Sequence, residues 1–137
     1  MEVKIKQVEG LTFIGKGESN HWAAVDGPKK YDGYEAASRP MELLLISLGS
    51  CTGSDVASIL KKKRVDLEGF ELKIEAEQSK DHPKVFTKIH IEFVFYGEGI
   101  DENDLERAIE LSQKKYCPVS AMLREKAVIS YSYQIKK

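Results

Sequence analysis

The stretch from Ser38 to Leu60 constrains the fold more than any other part of the chain. It predicts a long helix, because Pro40 is tolerated in a first helical turn and the cations at 61–64 suit the negative end of the helix dipole. Apolar residues between these ends cover most of the circumference, a pattern typical of a helix buried on nearly all sides. Glu42 and Asp55 interrupt the apolar run, which argues against a membrane span.

Small residues fill the middle of this helix, where Gly49 and Gly53 flank Cys51. A glycine inside a helix costs about 1 kcal/mol relative to alanine. Either another element packs closely against the helix here, or the glycines leave room beside Cys51. A buried cysteine is commonly an inert packing residue, so the helix alone leaves the role of Cys51 open.

Length and charge set the class of protein. We expect one domain, 1–137, because the chain is long enough to bury a core of its own. A net charge of −1 argues against a nucleic-acid binder and against an anionic-membrane binder. The first residues alternate like a strand and lack the apolar segment of a signal peptide. With only 2 cysteines, the chain is expected to be cytoplasmic.

Alternating hydrophobicity predicts six strands. Residues 3–6 and 11–16 form a hairpin, and 22–25 add a third strand. After the long helix, residues 70–76 and 89–95 alternate as two antiparallel neighbours, and 127–135 form a closing strand. Because the strands cluster apart from the helices, the fold class is predicted as α+β with a largely antiparallel sheet.

Two more helices are predicted between the fifth and sixth strands. Asp101 is the expected N-cap of the first, and its core-facing residues follow a helical period. Pro118 interrupts this helix directly after Cys117, and a short helix over 119–125 follows. The face predicted to pack inward consists of Leu105, Ala108, Ile109, Ser112 and Tyr116.

One-faced sheets cannot cover a helix that is apolar all round in a chain of 137 residues. A second copy of the same chain is the expected cover, because two-fold dimers are the commonest oligomers.

Two segments resemble the signature segments of the OsmC/Ohr family, the osmotically inducible and organic-hydroperoxide-resistance proteins. The first is Pro40-Met41-Glu42-Leu43-Leu44, followed after six residues by Cys51. The second is Cys117-Pro118-Val119-Ser120, followed after two residues by Leu123. The Arg-Pro-Met-Glu-Leu form is most similar to the less-studied branch of that family.

The resemblance implies an OsmC-like fold in an intertwined two-fold homodimer, with the long helices buried at its centre. It further implies a thiol-dependent peroxidase that reduces organic hydroperoxides. Cys51 would be the peroxidatic cysteine and Cys117 the resolving one, passing through a Cys51 sulfenate and a Cys51–Cys117 disulfide. A dithiol or lipoyl-type reductant would restore the thiols, and no cofactor is expected.

The match has a gap at the residue that would orient an activating cation. The family's peroxidases keep a glutamate ten residues before the first cysteine, and here that position is Met41. Glu42 lies nine residues before Cys51, about 180° away on the helix, so it does not simply replace the missing carboxylate. Arg39 is the first candidate for the cation, with Lys29 and Lys30 as further ones. Arg39 and Glu42 are therefore candidate catalytic residues, and the alternative for Arg39 is a solvated charge at the helix start.

Asp55 and the histidines complete the candidate residues. Asp55 follows Cys51 by four residues on the same helix face, where its charge would raise the pKa of a nearby thiol. It could instead serve as a structural hydrogen-bond acceptor. His21, His82 and His90 have no ligand spacing to the cysteines, and we expect no metal. The alternative function is a non-catalytic OsmC-fold dimer that binds a small apolar or thiol ligand at the cysteine pocket.

Overall fold

The computed structural model describes all 137 residues and contains two compact units, Met1–Ile46 and Ser47–Lys137. The boundary falls within the long helix α1 (Pro40–Lys62), which begins and ends close to its predicted limits. That the whole chain forms one domain stays a prediction.

The N-terminal unit contains an antiparallel sheet of three strands in chain order. They are β1 (Lys4–Glu9), β2 (Thr12–Lys16) and β3 (Ala23–Val25). The predicted hairpin and third strand are therefore confirmed. This unit buries no hydrophobic side chain, since every residue of the chain's apolar core lies at position 48 or beyond.

The buried carboxylate of Asp26 organises the loop that leads from β3 to α1. Its side chain is 1% exposed and accepts hydrogen bonds from the backbone N–H groups of Gly27, Tyr34 and Ala36. Burial raises the pKa of Asp26, but these backbone donors and the Thr12 side chain together more than offset it and hold the pKa below its usual value. Gly33 is required in the same loop, because a Cβ there would lie 2.0 Å from the carbonyl oxygen of Gly27.

The long helix is buried along one stripe. Its buried residues recur at helical spacing, whereas Ile46 is 53% exposed. A single chain therefore does not bury α1 on nearly all sides. That α1 is buried in this way by a second chain stays a prediction. By length and composition α1 would also suffice to cross a bilayer, a property shared by core helices of soluble proteins. The buried stripe consists of Leu48, Thr52, Gly53, Val56 and Leu60.

The C-terminal unit contains a second sheet, ordered β4 (Gly69–Gln78), β5 (Phe86–Tyr96) and β6 (Val128–Lys136). β4 and β5 pair antiparallel, as predicted. Strand pairing is largely antiparallel, as predicted, and the exception is β6, which runs parallel to β5. The physical reason is the connection, since α2 (Glu102–Leu111) and α3 (Pro118–Leu123) carry the chain back before it enters β6. The α+β class itself is confirmed.

Close packing of α1 on β4 explains the two helix glycines. A Cβ at Gly49 would lie 3.0 Å from Ile74 Cδ1, and one at Gly53 would lie 3.3 Å from Leu72 Cδ1. Of the two explanations that the sequence left open, close packing by another element is therefore correct. The glycines bring the backbone on either side of Cys51 against the sheet.

The core of this unit combines the buried stripe of α1 with one face of β5 and one face of α2. We expect Leu48→Ala to lower the free energy of unfolding by about 2–5 kcal/mol, because Leu48 is fully buried and truncation leaves a cavity. Urea unfolding measures the loss. Ser58→Ala, at an exposed position of the same helix, is the control. Equal midpoints for the two variants would contradict the placement of Leu48 in the core.

Candidate functional site

The two cysteines, 66 positions apart in the numbering, meet in the C-terminal unit. Cys51 lies in the middle of α1 and is half-buried, whereas Cys117 lies just before α3 and is 2% exposed. Their Sγ atoms and a carboxylate oxygen of Asp55 all lie within 4.8 Å of one another. Both thiols are free. The structure thus brings together the two cysteines that the sequence singled out.

One turn of π-helix, Ser112–Tyr116, sets the position of Cys117. The backbone N–H of Cys117 donates to the carbonyl oxygen of Ser112 at 2.9 Å, closing a turn that is one residue wider than an α-helical one. Ser112 is buried, as predicted, but Tyr116 is 50% exposed, so its predicted inward orientation is wrong. The wider turn shifts the inward face by one residue, and Gln113 and Cys117 point inward instead.

Cys117 also caps the next helix. Its extended backbone (φ −74°, ψ 104°) is the conformation that a residue before proline prefers, and Pro118 takes the first position of α3. The Cys117 sulfur accepts a hydrogen bond from the backbone N–H of Ser120 at 3.3 Å. The thiol is therefore held in a fixed direction by the helix that it precedes.

A buried network of polar side chains surrounds the Cys117 sulfur. The Thr52 hydroxyl donates to Cys117 Sγ at 3.5 Å and accepts from Gln113 Nε2 at 3.1 Å. The Ser120 hydroxyl in turn donates to Gln113 Oε1 at 2.9 Å. Arg124 donates from Nη2 to the backbone carbonyl of Gln113 and, at 3.5 Å, to the Ser120 hydroxyl. No buried side-chain nitrogen or oxygen lacks a partner, so this network is fully satisfied.

Asp55 is both a structural acceptor and a charge beside the thiols. Its Oδ2 accepts a hydrogen bond from the Ser112 hydroxyl at 2.8 Å, which confirms the structural reading of this residue. Burial raises the pKa of the Cys51 thiol above its usual value, and the neighbouring Cys117 thiol and the Asp55 carboxylate raise it further. The backbone N–H of Val119 opposes this shift. None of these influences on Cys51 comes from a cation.

Arg39 and Glu42 lie in the N-terminal unit. Arg39 Nε is 3.6 Å from Glu42 Oε1, and Arg39 Nη2 is 3.8 Å from Glu35 Oε1. The three side chains are about half exposed, where an ion pair contributes little to stability. A catalytic role for Arg39 and Glu42 stays a prediction.

Comparison with known proteins agrees with the predicted fold. A family described as OsmC-like protein matches residues 33–132. The chain belongs to the OsmC-like family. Protein YhfA of Escherichia coli K12 is 37% identical over 135 residues, which cover 98% of each chain.

Solved structures with the OsmC-like fold extend the comparison. A hypothetical protein from Aquifex aeolicus VF5 is 34% identical, with a TM-score of 0.82 over 99% of this chain and 97% of that one. An organic hydroperoxide resistance protein OsmC from Legionella pneumophila has a TM-score of 0.68 over 98% of this chain and 97% of that one. At 16% identity, the latter likeness concerns the fold alone.

Sequence reasoning missed the network around Cys117. Thr52 stands directly after Cys51, and a hydroxyl inside an apolar helix is a signal that it bonds to something buried. Gln113 gives no such signal, because its inward direction depends on the π-helical turn. Arg124 follows Ser120 by four residues in the short helix, but neither residue is marked by its own pattern.

The charge of Asp55 generates a prediction about the reactivity of Cys51. We expect Asp55→Asn to speed alkylation of Cys51 by iodoacetamide at pH 7–8 by roughly two- to tenfold. The amide removes a negative charge that raises the thiol pKa, while its oxygen still accepts from Ser112. More Cys51 is then thiolate at a given pH, so the rate profile moves to lower pH and its alkaline plateau stays unchanged.

Peptide mass spectrometry, with a chelator present, gives the rate at each pH. Asp104→Asn is the matched control, because Asp104 is a partly buried helix carboxylate that pairs with Lys63, away from the cysteines. Identical profiles for Asp55→Asn and the wild type would exclude the proposed charge effect.

Proposed function

We propose that the protein is a thiol-dependent peroxidase that reduces organic hydroperoxides. Membership of the OsmC-like family suggests a redox or peroxide-resistance role. The observation that carries the proposal is the pairing of a half-buried Cys51 with a buried Cys117, their sulfur atoms within 4.8 Å. A peroxide can reach the first thiol, and the second is close enough to intercept its oxidised form.

The reaction begins at Cys51. Its thiolate attacks the terminal oxygen of the hydroperoxide, the O–O bond breaks, and the leaving alkoxide takes a proton to become an alcohol. The Cys51 sulfenic acid is then attacked by the Cys117 sulfur, which forms the disulfide and releases water. An external dithiol or lipoyl-type reductant then reduces the disulfide by thiol–disulfide exchange, which restores both protein thiols and leaves the reductant as a disulfide.

The surroundings of the helix favour an organic substrate. Large apolar residues flank the small-residue segment around Cys51 along α1, from Leu43 to Leu48 on one side and from Val56 to Leu60 on the other. An alkyl group on the peroxide gains from burial against such side chains, whereas hydrogen peroxide offers no apolar surface.

Arg39 is our candidate for the activating cation, and Glu42 is its partner in an ion pair. A thiolate at Cys51 needs such a charge, because burial, Cys117 and Asp55 all raise its pKa. With Met41 at the position of the expected glutamate, the cation is less firmly oriented. We therefore propose a weaker peroxidase than family members with the full pair, acting in the cytoplasm.

The proposed partner is a second copy of this chain in a two-fold homodimer. The N-terminal unit has large apolar side chains in its strands but buries none of them, and Ile46 of α1 is 53% exposed. In a two-fold dimer, each copy would cover the exposed apolar side chains of the other copy.

We expect sedimentation velocity at micromolar concentration to give a species of two chains. Ile46→Glu should shift it toward one chain, because a charge at an apolar interface is costly. Lys84→Glu, in the exposed loop between β4 and β5, is the control and should remain dimeric. A stable folded monomer for the wild type would exclude this assembly.

Limiting cumene hydroperoxide tests the roles of the two cysteines. We expect a cross-linked peptide joining residues 51 and 117 by mass spectrometry, and turnover when a dithiol is supplied. Cys51→Ser should abolish turnover, because it removes the nucleophile. Cys117→Ser should consume one peroxide and then stall or over-oxidise at Cys51. Over-oxidised Cys51 with Cys117 still free in the wild type would contradict the resolving role.

The second candidate function is a dimer that binds a small apolar or thiol ligand beside Cys51 without efficient turnover. The raised pKa of Cys51 favours this reading, because it leaves little thiolate at neutral pH. Met41→Glu separates the two functions, since it introduces a carboxylate at the position where the family's peroxidases have one. A faster peroxidase supports catalysis, whereas no turnover in either protein supports ligand binding.

A further inference from the structure

Cys51, Asp55 and Cys117 form a group of metal-ligand atoms in addition to a redox pair. Each offers one atom, and the three atoms lie within 4.8 Å of one another. In a tetrahedral zinc site, with Zn–S of about 2.3 Å and Zn–O of about 2.1 Å, neighbouring ligand atoms are roughly 3.5–3.8 Å apart. The three atoms therefore need to approach one another by at most about 1.3 Å to surround a single ion.

The three ligands come from rigid elements. Cys51 and Asp55 are four residues apart on α1, so they project from the same face of one helix. Cys117 is fixed from a second direction as the N-cap of α3, with Pro118 at the first helical position. Two ligands from one helix and a third from a facing segment approach a common metal position from different directions. Ligands from one helix alone would all approach it from the same side.

Neighbouring donors already orient two of the three ligand side chains. The Ser112 hydroxyl donates to Asp55 Oδ2, and Cys117 Sγ accepts from the Thr52 hydroxyl and the Ser120 backbone N–H. Thiolate and carboxylate atoms keep further lone pairs for a metal while they accept such bonds. In metal sites, hydrogen bonds of this kind fix the direction of the ligands and strengthen binding.

We propose that Cys51, Asp55 and Cys117 bind Zn²⁺ in the reduced protein. Two thiolates and one carboxylate carry three negative charges, which a divalent ion largely neutralises. The soft sulfur ligands favour zinc over magnesium or calcium. Three protein ligands leave the fourth tetrahedral position to water or to a ligand from solution.

Zinc and peroxide compete for the same sulfur atoms. With both thiolates bound to Zn²⁺, the lone pairs that would attack an O–O bond are held by the metal. When a hydroperoxide oxidises the pair, two electrons leave the sulfurs, the disulfide forms, and the peroxide takes two protons from solvent to give alcohol and water. The site then loses both sulfur ligands and releases Zn²⁺. The metal site shares its cysteines with the proposed peroxidase but does not require that the protein turn over peroxide.

Titration of the full-length, reduced protein with Co²⁺ tests the site without any peroxide. We expect one Co²⁺ per chain, with near-ultraviolet sulfur-to-cobalt charge transfer, visible bands of a tetrahedral site, and displacement by Zn²⁺. Cys51→Ser and Cys117→Ser should each remove about half of the charge-transfer intensity. Asp55→Asn should weaken binding by at least about tenfold while both sulfur contacts remain.

Asp104→Asn is the matched control and should bind like the wild type. Wild-type protein oxidised with diamide provides a test that does not depend on the folding of any variant, and it should show no cobalt spectrum. Absence of charge transfer in the reduced wild type, or unchanged affinity in folded Asp55→Asn, would overturn the proposal. Peroxidase assays with a chelator present are read separately, so failure of the metal site and failure of the peroxidase are distinguishable.

Discussion

The close approach of α1 to β4 is the constraint on which the C-terminal unit depends. The approach is close at Gly49 and Gly53, where an added Cβ would lie 3.0 Å from Ile74 Cδ1 and 3.3 Å from Leu72 Cδ1, so that these side chains would have to shift by a few tenths of an ångström. Each glycine costs helix propensity of about 1 kcal/mol, so the packing that they permit must more than offset that loss. Cys51 lies between them, and its position relative to the sheet follows from this contact.

A second constraint acts at Cys117 and is made of hydrogen bonds. The π-helical turn aims Gln113 inward, and its amide links the hydroxyls of Thr52 and Ser120. Thr52 then contacts the Cys117 sulfur from the neighbouring helix. Because every member of a buried network needs its partners, loss of one leaves the others unpaired at a cost of about 1–3 kcal/mol. Packing thus positions the Cys51 thiol, and hydrogen bonding positions the Cys117 thiol.

The sequence predicts most of the fold because its periodicities are clean. Alternation marks all six strands, and the apolar run with Pro40 and the lysines marks α1. Alternation has no direction, however, so it could not show that β6 runs parallel to β5. A helical period of 3.6 could not foresee the π-helical turn, which places Cys117 instead of Tyr116 on the inward face.

The candidate site was predictable only in part, for related reasons. Cys51 and Cys117 stood out because their flanking segments resemble those of a family, and Asp55 because of its spacing from Cys51. The buried role of Asp26 depends on three backbone amides folded around it, which no side-chain pattern records. The same holds for the partners of Cys117, whose contacts join residues up to 65 positions apart.

The carboxylate of Asp55 gives the site two opposite tendencies. Beside neutral thiols it stabilises the protonated form of Cys51 and so opposes the thiolate that attacks a peroxide. Beside a divalent cation the same charge is favourable, because it adds a third anionic ligand to two thiolates. A carboxylate that served only the peroxidase would be better replaced by a neutral acceptor for Ser112, such as asparagine. Its presence within 4.8 Å of both sulfur atoms is therefore explained more simply by a site that also receives a cation.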